Sequence, residues 1–223
     1  MRVEWHGQSA FTLEGKEATV FVDPFGAMAG LRERGIEWGY PPIEVDGVDL
    51  LLVTHEHGDH NAVEAIAGEP ATVRALAGSH ETPIGTVVGV SAEHDDVAGT
   101  KRGHNTIFVF ALDGLRIAHF GDFGQAALRP EQREAIGEVD LVFVPVGGGP
   151  TIGGAAAAGI ALSLGAKWVV PMHYRTPRIG FLEDEEEFEA AFAQVQRLEL
   201  PELDTGDLEE AGKGAIAVIP ASP

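Results

Sequence analysis

The chain has 223 residues, of which 15 are Lys or Arg, 35 are Asp or Glu and none is Cys. That length suits one large domain or two small ones, and 44% hydrophobic with 22% charged residues is enough for a globular core. A formal charge of −20 works against surfaces that neutralise nucleic-acid phosphates or dock on anionic lipid, and the absence of Cys removes disulfides, thiolate ligands and thiol nucleophiles together.

The opening run carries Glu4 and His6 where a leader would be basic and then apolar, and no 18-residue apolar span follows; this predicts a cytoplasmic protein with no membrane segment. Short β-branched runs bounded by Gly, Pro or Asp predict strands. The first covers residues 19–22. Residues 26–42 are Gly-rich, aromatic and mixed in charge, and read as a long loop of the kind that borders active sites. A strand is predicted over 50–54, a helix over 61–67 and a strand over 86–90. Strands over 106–110 and 115–120 are joined by Asp113-Gly114, a good hairpin turn. A helix over 130–136, a strand over 141–145, a helix over 155–164 and a strand over 168–171 follow. The last predicted element is a long helix over 183–198. It opens on an acidic run at 183–187, where carboxylates suit the positive end of the helix dipole. No repeat of fixed period is visible, and the pattern suggests two packed sheets covered by helices.

The chemistry concentrates in Thr54-His-Glu-His-Gly-Asp-His60. An aliphatic strand runs directly into three imidazoles and a carboxylate. Alternation on an extended segment puts His55 and His57 on one side. The chain then turns at Gly58, so that Asp59 and His60 project towards the following predicted helix. Imidazole and carboxylate suit zinc and similar divalent ions, and four such groups after one strand point to more than one metal. A solvated polar turn is the alternative, and it leaves the clustering of four ligand types unexplained.

This run resembles the His-x-His-x-Asp-His signature of the metallo-β-lactamase fold, a four-layered αβ/βα sandwich of metal hydrolases. Further motifs are similar, in order, to the branch containing L-ascorbate-6-phosphate lactonase. They are VEWHGQSAF at 3–11, VFVDPF at 20–25, AEHD at 92–95, RGHNTI at 102–107, HFGDFG at 119–124, VPVGGG at 144–149 and VPMHY at 170–174. The resemblance covers about residues 2–180 and implies an α+β chain forming a single domain over 1–223. It implies His55, His57 and His94 on a first ion, Asp59, His60 and His173 on a second, and Asp122 bridging both. The cofactors would be two divalent ions, zinc or alternatively manganese, since availability decides among metals that accept His and Asp. His94 is preferred to His104, because it follows a strand end at the family's spacing.

Other positions carry two readings each. Asp23 either accepts a hydrogen bond from a ligand imidazole or simply makes an Asp-Pro turn. His119 is either a core histidine or a site residue. Asn105, Arg175 and Arg178 are the substrate-binding candidates, with Lys101 and Arg102 as further cations beside the site; at least one of Arg175 and Arg178 is expected to face the cavity. Gln8 stands where relatives often carry His, and Gly153 where some carry Asp. The implied activity is hydrolysis of a small ester, lactone or phosphoester by a metal-bridged hydroxide, with Asp59 and Asp122 catalytic and Asp59 moving the proton. An RNA phosphodiesterase is disfavoured by the charge. A di-iron oxygen-reducing relative is disfavoured because it would carry Glu where His57 stands. A non-catalytic metal-binding member is the third alternative. The expected partner is a small, anionic substrate, with no nucleic acid and no membrane, and a homo-oligomer is compatible.

Overall fold

The computed structural model describes residues 1–28, 30–31, 35–212 and 214–223. Its first sheet is built from β1 (Arg2–Gly7), β2 (Ala10–Glu14), β3 (Thr19–Val22), β4 (Leu50–Val53) and β5 (Ala71–Arg74), with β13 (Glu202–Asp204) on the outer side of β1. The second contains β6 (Gly78–Thr82), β7 (Gly85–Glu93), β8 (His104–Leu112), β9 (Leu115–His119), β10 (Leu141–Pro145), β11 (Trp168–Met172), β14 (Ile216–Ile219) and β12 (Gln194–Arg197), in that spatial order. The two sheets pack face to face around one apolar cluster that includes Trp5 and Phe11 from the first and Phe108, Phe143 and Val170 from the second.

Alternation assigns the faces. In β3 and β4, Val20, Val22, Leu50 and Leu52 enter the cluster between the sheets, while Phe21, Leu51 and Val53 enter a second cluster on the outer face. That outer cluster is completed by Phe25, Trp38, Tyr40 and Ile43, so the 26–42 segment buries one face of the first sheet. Residues 29 and 32–34 of that expected loop lie outside the described residues. The outer face of the second sheet is covered by helices α1 (Pro130–Ile136) and α2 (Gly154–Ser163), with the short α3 (Glu186–Glu189) against α2. Pro130 starts α1, where its missing N–H is no loss, and Gly137 stops it with φ of 69°. No helix among the described residues is long and apolar enough to cross a membrane.

The predicted strands stand with their ends moved by a few residues, and the β8–β9 hairpin turns at Asp113-Gly114, both with positive φ. Two helix expectations need correction. Residues 61–67 hold only a 3-10 turn at Val63–Ala65. Residues 183–198 hold the four-residue α3 and then strand β12, because Gln194–Arg197 pairs in parallel with Ile216–Ile219. A local helical pattern lost there to strand pairing with a segment about twenty residues away. Among the acidic residues, Glu186 and Glu187 do lie in the first turn of α3.

β3, β4 and β5 run parallel to one another, as do β9, β10, β11 and β14. Loops that leave the ends of parallel strands gather at one edge, where ligand sites form in open parallel sheets.

Candidate metal centre

The chain leaves β4 at Thr54 and passes directly through His55, His57, Asp59 and His60. His94 follows β7, Asp122 lies three residues past β9, and His173 directly follows β11. All seven converge. Three sets of donor atoms lie within 4.8 Å of one another: His55, His57 and His94; His55, His60 and Asp122; Asp59, His60 and His173. Asp122 is central, with Oδ2 at 3.0 Å from His94 Nε2 and 3.3 Å from Nε2 of both His60 and His173. His55 Nε2 lies 3.1 Å from His57 Nδ1.

These separations test whether a cation fits. Ligand atoms about 2.0–2.1 Å from a tetrahedral ion are about 3.3 Å from one another. The observed edges of 3.0–3.3 Å match that figure. Three outward nitrogens agree, whereas the outward Nδ1 of His173 is buried without a partner among the described residues. Asp23 Oδ2 accepts from His60 Nδ1 at 3.0 Å, the Pro150 carbonyl accepts from His94 Nδ1 at 3.0 Å, and Thr54 Oγ1 accepts from His55 Nδ1 at 3.0 Å. Thr54 Oγ1 in turn donates to Asp23 Oδ2 at 2.7 Å. With a proton on each Nδ1, each Nε2 faces the cluster and is the nitrogen open to a cation, the usual arrangement behind a metal-binding imidazole. His60 Nε2 is fully buried with no hydrogen-bond partner of good geometry. A buried ring nitrogen without a partner is costly unless a proton or a metal ion shared with the neighbouring carboxylates meets it.

Electrostatics follow from the packing. Burial and the neighbouring imidazoles hold His55 far below its ordinary range. Burial also works against the charged form of His60, but the Asp122 and Asp59 carboxylates outweigh it and hold that imidazole well above its ordinary value. Asp122 is held well below the carboxylate range: burial opposes its charge, but His173 and His60 more than offset that. His60 and Asp122 thus stabilise one another's charge, and a divalent ion would take over that role towards the carboxylate.

The backbone around the site is strained. Gln8, Asp23, Met28 and His173 have φ of 49°, 53°, 47° and 51°, a region that side-chain-bearing residues rarely occupy. Gly121 has φ of 54°, and a Cβ there would lie 2.4 Å from Asn105 Oδ1 and 2.6 Å from Thr54 Oγ1, so only glycine fits the turn into Asp122.

Several expectations change. Asn105 does not face the cavity. It is buried, its Oδ1 accepts from the Asp122 backbone N–H at 3.1 Å and its Nδ2 donates to the Phe120 carbonyl at 2.8 Å, so it positions the turn that carries Asp122. Arg175 pairs with Asp184 at the surface, and Arg178 donates through Nε to the Pro223 carbonyl at 2.7 Å. Neither lines the cavity beside the metal centre, because each is drawn to an acceptor on the outside. His104 is exposed at the start of β8, leaving His94 as the histidine inside. His119 is a core histidine that accepts from Gly121 N–H and donates to the Ser9 carbonyl. Asp23 takes the imidazole-holding role, and its carboxylate also binds the Thr54 N–H at 2.7 Å. The roles of Thr54 and Pro150 were missed in the sequence, since a backbone carbonyl and a lone hydroxyl carry no pattern.

The cavity has a volume of about 700 Å³, within the usual range for small-molecule sites. Its lining joins His57, Asp59, His94, Asp122 and His173 to the apolar Met28, Leu31, Ile36, Trp38, Ile179 and Phe181. The 26–42 segment therefore does border the site.

Comparison with known proteins agrees with this geometry. Residues 2–173 match the family model described as a beta-lactamase superfamily domain. A UPF0173 metal-dependent hydrolase from Thermococcus kodakarensis is 34% identical over 216 residues, covering 84% of this chain and 90% of the relative. One from Geobacillus thermodenitrificans is 30% identical over 209 residues, covering 79% and 86%. Among solved structures, a Thermotoga maritima protein proposed as a Zn-dependent hydrolase of the metallo-beta-lactamase superfamily superposes with a TM-score of 0.77 at 28% identity, covering 99% of this chain and 98% of that one.

Proposed function

Since the chain belongs to the UPF0173 metal-dependent hydrolases of the metallo-β-lactamase fold, we propose that it uses two divalent ions, zinc in the first instance, to hydrolyse a small ester, lactone or phosphoester. The observation that carries this reading is the buried, unpartnered His60 Nε2, aimed at Asp122 while Asp23 holds the opposite nitrogen. His55, His57 and His94 would hold one ion and Asp59, His60 and His173 the other, with Asp122 between them.

Divalent ions held there supply Lewis acidity towards a substrate oxygen and a lowered pKa for water. The residues do the rest. Asp59 has a side chain 26% exposed and lines the cavity, so it can hold or move a proton at its Oδ2. The apolar wall of Trp38, Ile36 and Phe181 takes the uncharged part of a substrate and limits water. A polynucleotide is disfavoured, because the chain carries −20 and the cavity wall holds one cationic side chain among the described residues. The similarity to the lactonase branch makes a lactone the first substrate to try, with Gln8 in the cavity wall as the departure.

The test is elemental analysis of the purified chain, followed by a panel of lactones, phosphomonoesters and phosphodiesters on zinc- and manganese-loaded protein. Two equivalents of metal and chelator-sensitive turnover of a lactone or phosphomonoester are expected. A chain that binds no divalent ion, or that turns over phosphodiesters alone, would overturn the proposal.

A further inference from the structure

His94 and Gly103 close a loop: the His94 N–H donates to the Gly103 carbonyl at 3.1 Å and Gly103 N–H to the Gly99 carbonyl at 3.0 Å. Inside the loop, the Asp95 carboxylate accepts four backbone N–H groups. Oδ1 takes Val97 at 2.9 Å and Gly99 at 2.7 Å, and Oδ2 takes Lys101 at 2.9 Å and Arg102 at 2.8 Å. A carboxylate gathering four amides fixes the loop beyond what its backbone bonds alone would do. The Arg102 backbone is therefore held in a set position relative to His94, one of the metal-centre imidazoles.

Arg102 lines the cavity together with His57, Asp59 and His94. Among the described residues it is the one cationic side chain there, and its guanidinium makes no ion pair. Arg2, Arg74, Arg129, Arg175 and Arg197 each meet a carboxylate and Arg178 reaches the Pro223 carbonyl, while Arg133, which also makes no ion pair among the described residues, does not line this cavity. In a chain with more than twice as many acids as bases, an unpaired arginine at a cavity has a partner that arrives from outside.

We propose that Arg102 is the anion-recognising residue of this site, selecting substrates that carry a carboxylate or phosphate beside the bond to be broken. The planar fork of donors suits either group bidentately. This rests on the hydrolase reading above and assigns its substrate class, with the apolar wall facing the remainder of the molecule.

The test compares zinc-loaded full-length wild type with Arg102→Ala, Arg102→Lys and Arg102→Glu. Turnover of 4-nitrophenyl acetate, which is neutral, is set against the 4-nitrophenyl half-ester of succinate, which is anionic. Binding of succinate and of inorganic phosphate is measured separately by calorimetry, so that the two anion types are distinguished without turnover. Loss of a charge-assisted pair predicts that the anionic-to-neutral ratio of kcat/KM falls about 10- to 100-fold in Arg102→Ala, further in Arg102→Glu, and partly recovers in Arg102→Lys. The Kd of the preferred anion should rise by a similar factor. If neither ratio nor Kd moves in the Ala and Glu variants, the assignment is wrong. If the wild type turns over neither ester while the Kd shifts as expected, the anion site stands and the hydrolase reading fails instead.

Discussion

Asp23→Asn separates an imidazole-holding role from a plain turn. The Asp23 carboxylate accepts three hydrogen bonds, from Thr54 N–H and Thr54 Oγ1 at 2.7 Å each and from His60 Nδ1 at 3.0 Å. An Asn side chain keeps one acceptor, which can still take the Thr54 N–H. Its amide nitrogen then faces two donors. The least costly escape moves the His60 proton from Nδ1 to Nε2, the nitrogen that points at Asp122. That tautomer blocks the lone pair a cation needs. Loss of such an outward partner costs about 10- to 100-fold in metal affinity, or about 1.4–2.8 kcal/mol. The cation-free protein should suffer less, because the relocated proton can be donated to Asp122 Oδ2 at 3.3 Å. Zinc affinity from chelator competition and urea denaturation of the chelated protein are the paired measurements. The Asn variant should lose affinity in one of two zinc equivalents and keep most of its metal-free stability. Unchanged affinity for both equivalents, with reduced stability alone, would refute the reasoning and leave Asp23 as a turn residue.

Asp122→Ala should lower activity and metal content together, since its Oδ2 is within 3.3 Å of three Nε2 atoms; elemental analysis showing full occupancy would rule out the bridging role. Asn105→Ala should destabilise the chain by about 1–3 kcal/mol, because the buried Asp122 N–H loses its acceptor. A urea midpoint will show this, and a variant altered only in KM would restore the substrate-binding reading. His6 supplies a pH dependence away from the metal centre. Burial pushes its pKa down to about 4, while the unfolded chain keeps it near 6.5, so the folded state resists protonation. Stability should therefore fall as pH drops from about 6.5 towards 4, and the slope over that window should flatten in His6→Gln.

Much of the site was legible because its signals are local. Leu50–Val53 is an unbroken aliphatic strand that delivers His55 and His57 at once, so strand prediction and ligand spacing reinforce each other. His94 could be preferred to His104 because it follows a strand end at the family's spacing, and in the fold His94 is buried while His104 is exposed. Residues 183–198 were misread for the opposite reason. Phe188 and Phe192 have helical spacing and their rings pack at a tilt in the fold, centroids 4.8 Å apart, yet β12 owes its existence to β14, a partner no local window contains.

The arginines show where sequence proximity stops being informative. Arg175 lies two residues past His173, which places its backbone near the centre but does not say where a long side chain goes. Asp184, nine positions on, draws it outward, and the Pro223 carbonyl does the same for Arg178 across 45 positions. Long cationic side chains follow the nearest unsatisfied acceptor, so the cations left over are the ones able to meet a substrate. Arg102 had a readable cue of a different kind. Asp95 precedes a stretch with Gly99 and Gly103, and an Asp ahead of such a loop commonly collects its amides. An arginine one residue before the second glycine, at the closing end of the loop that a metal-centre histidine opens, is held by backbone bonds that leave its side chain uncommitted. Rigid backbone with a free guanidinium is what an anion-selecting position requires, and neither Arg175 nor Arg178 combines the two.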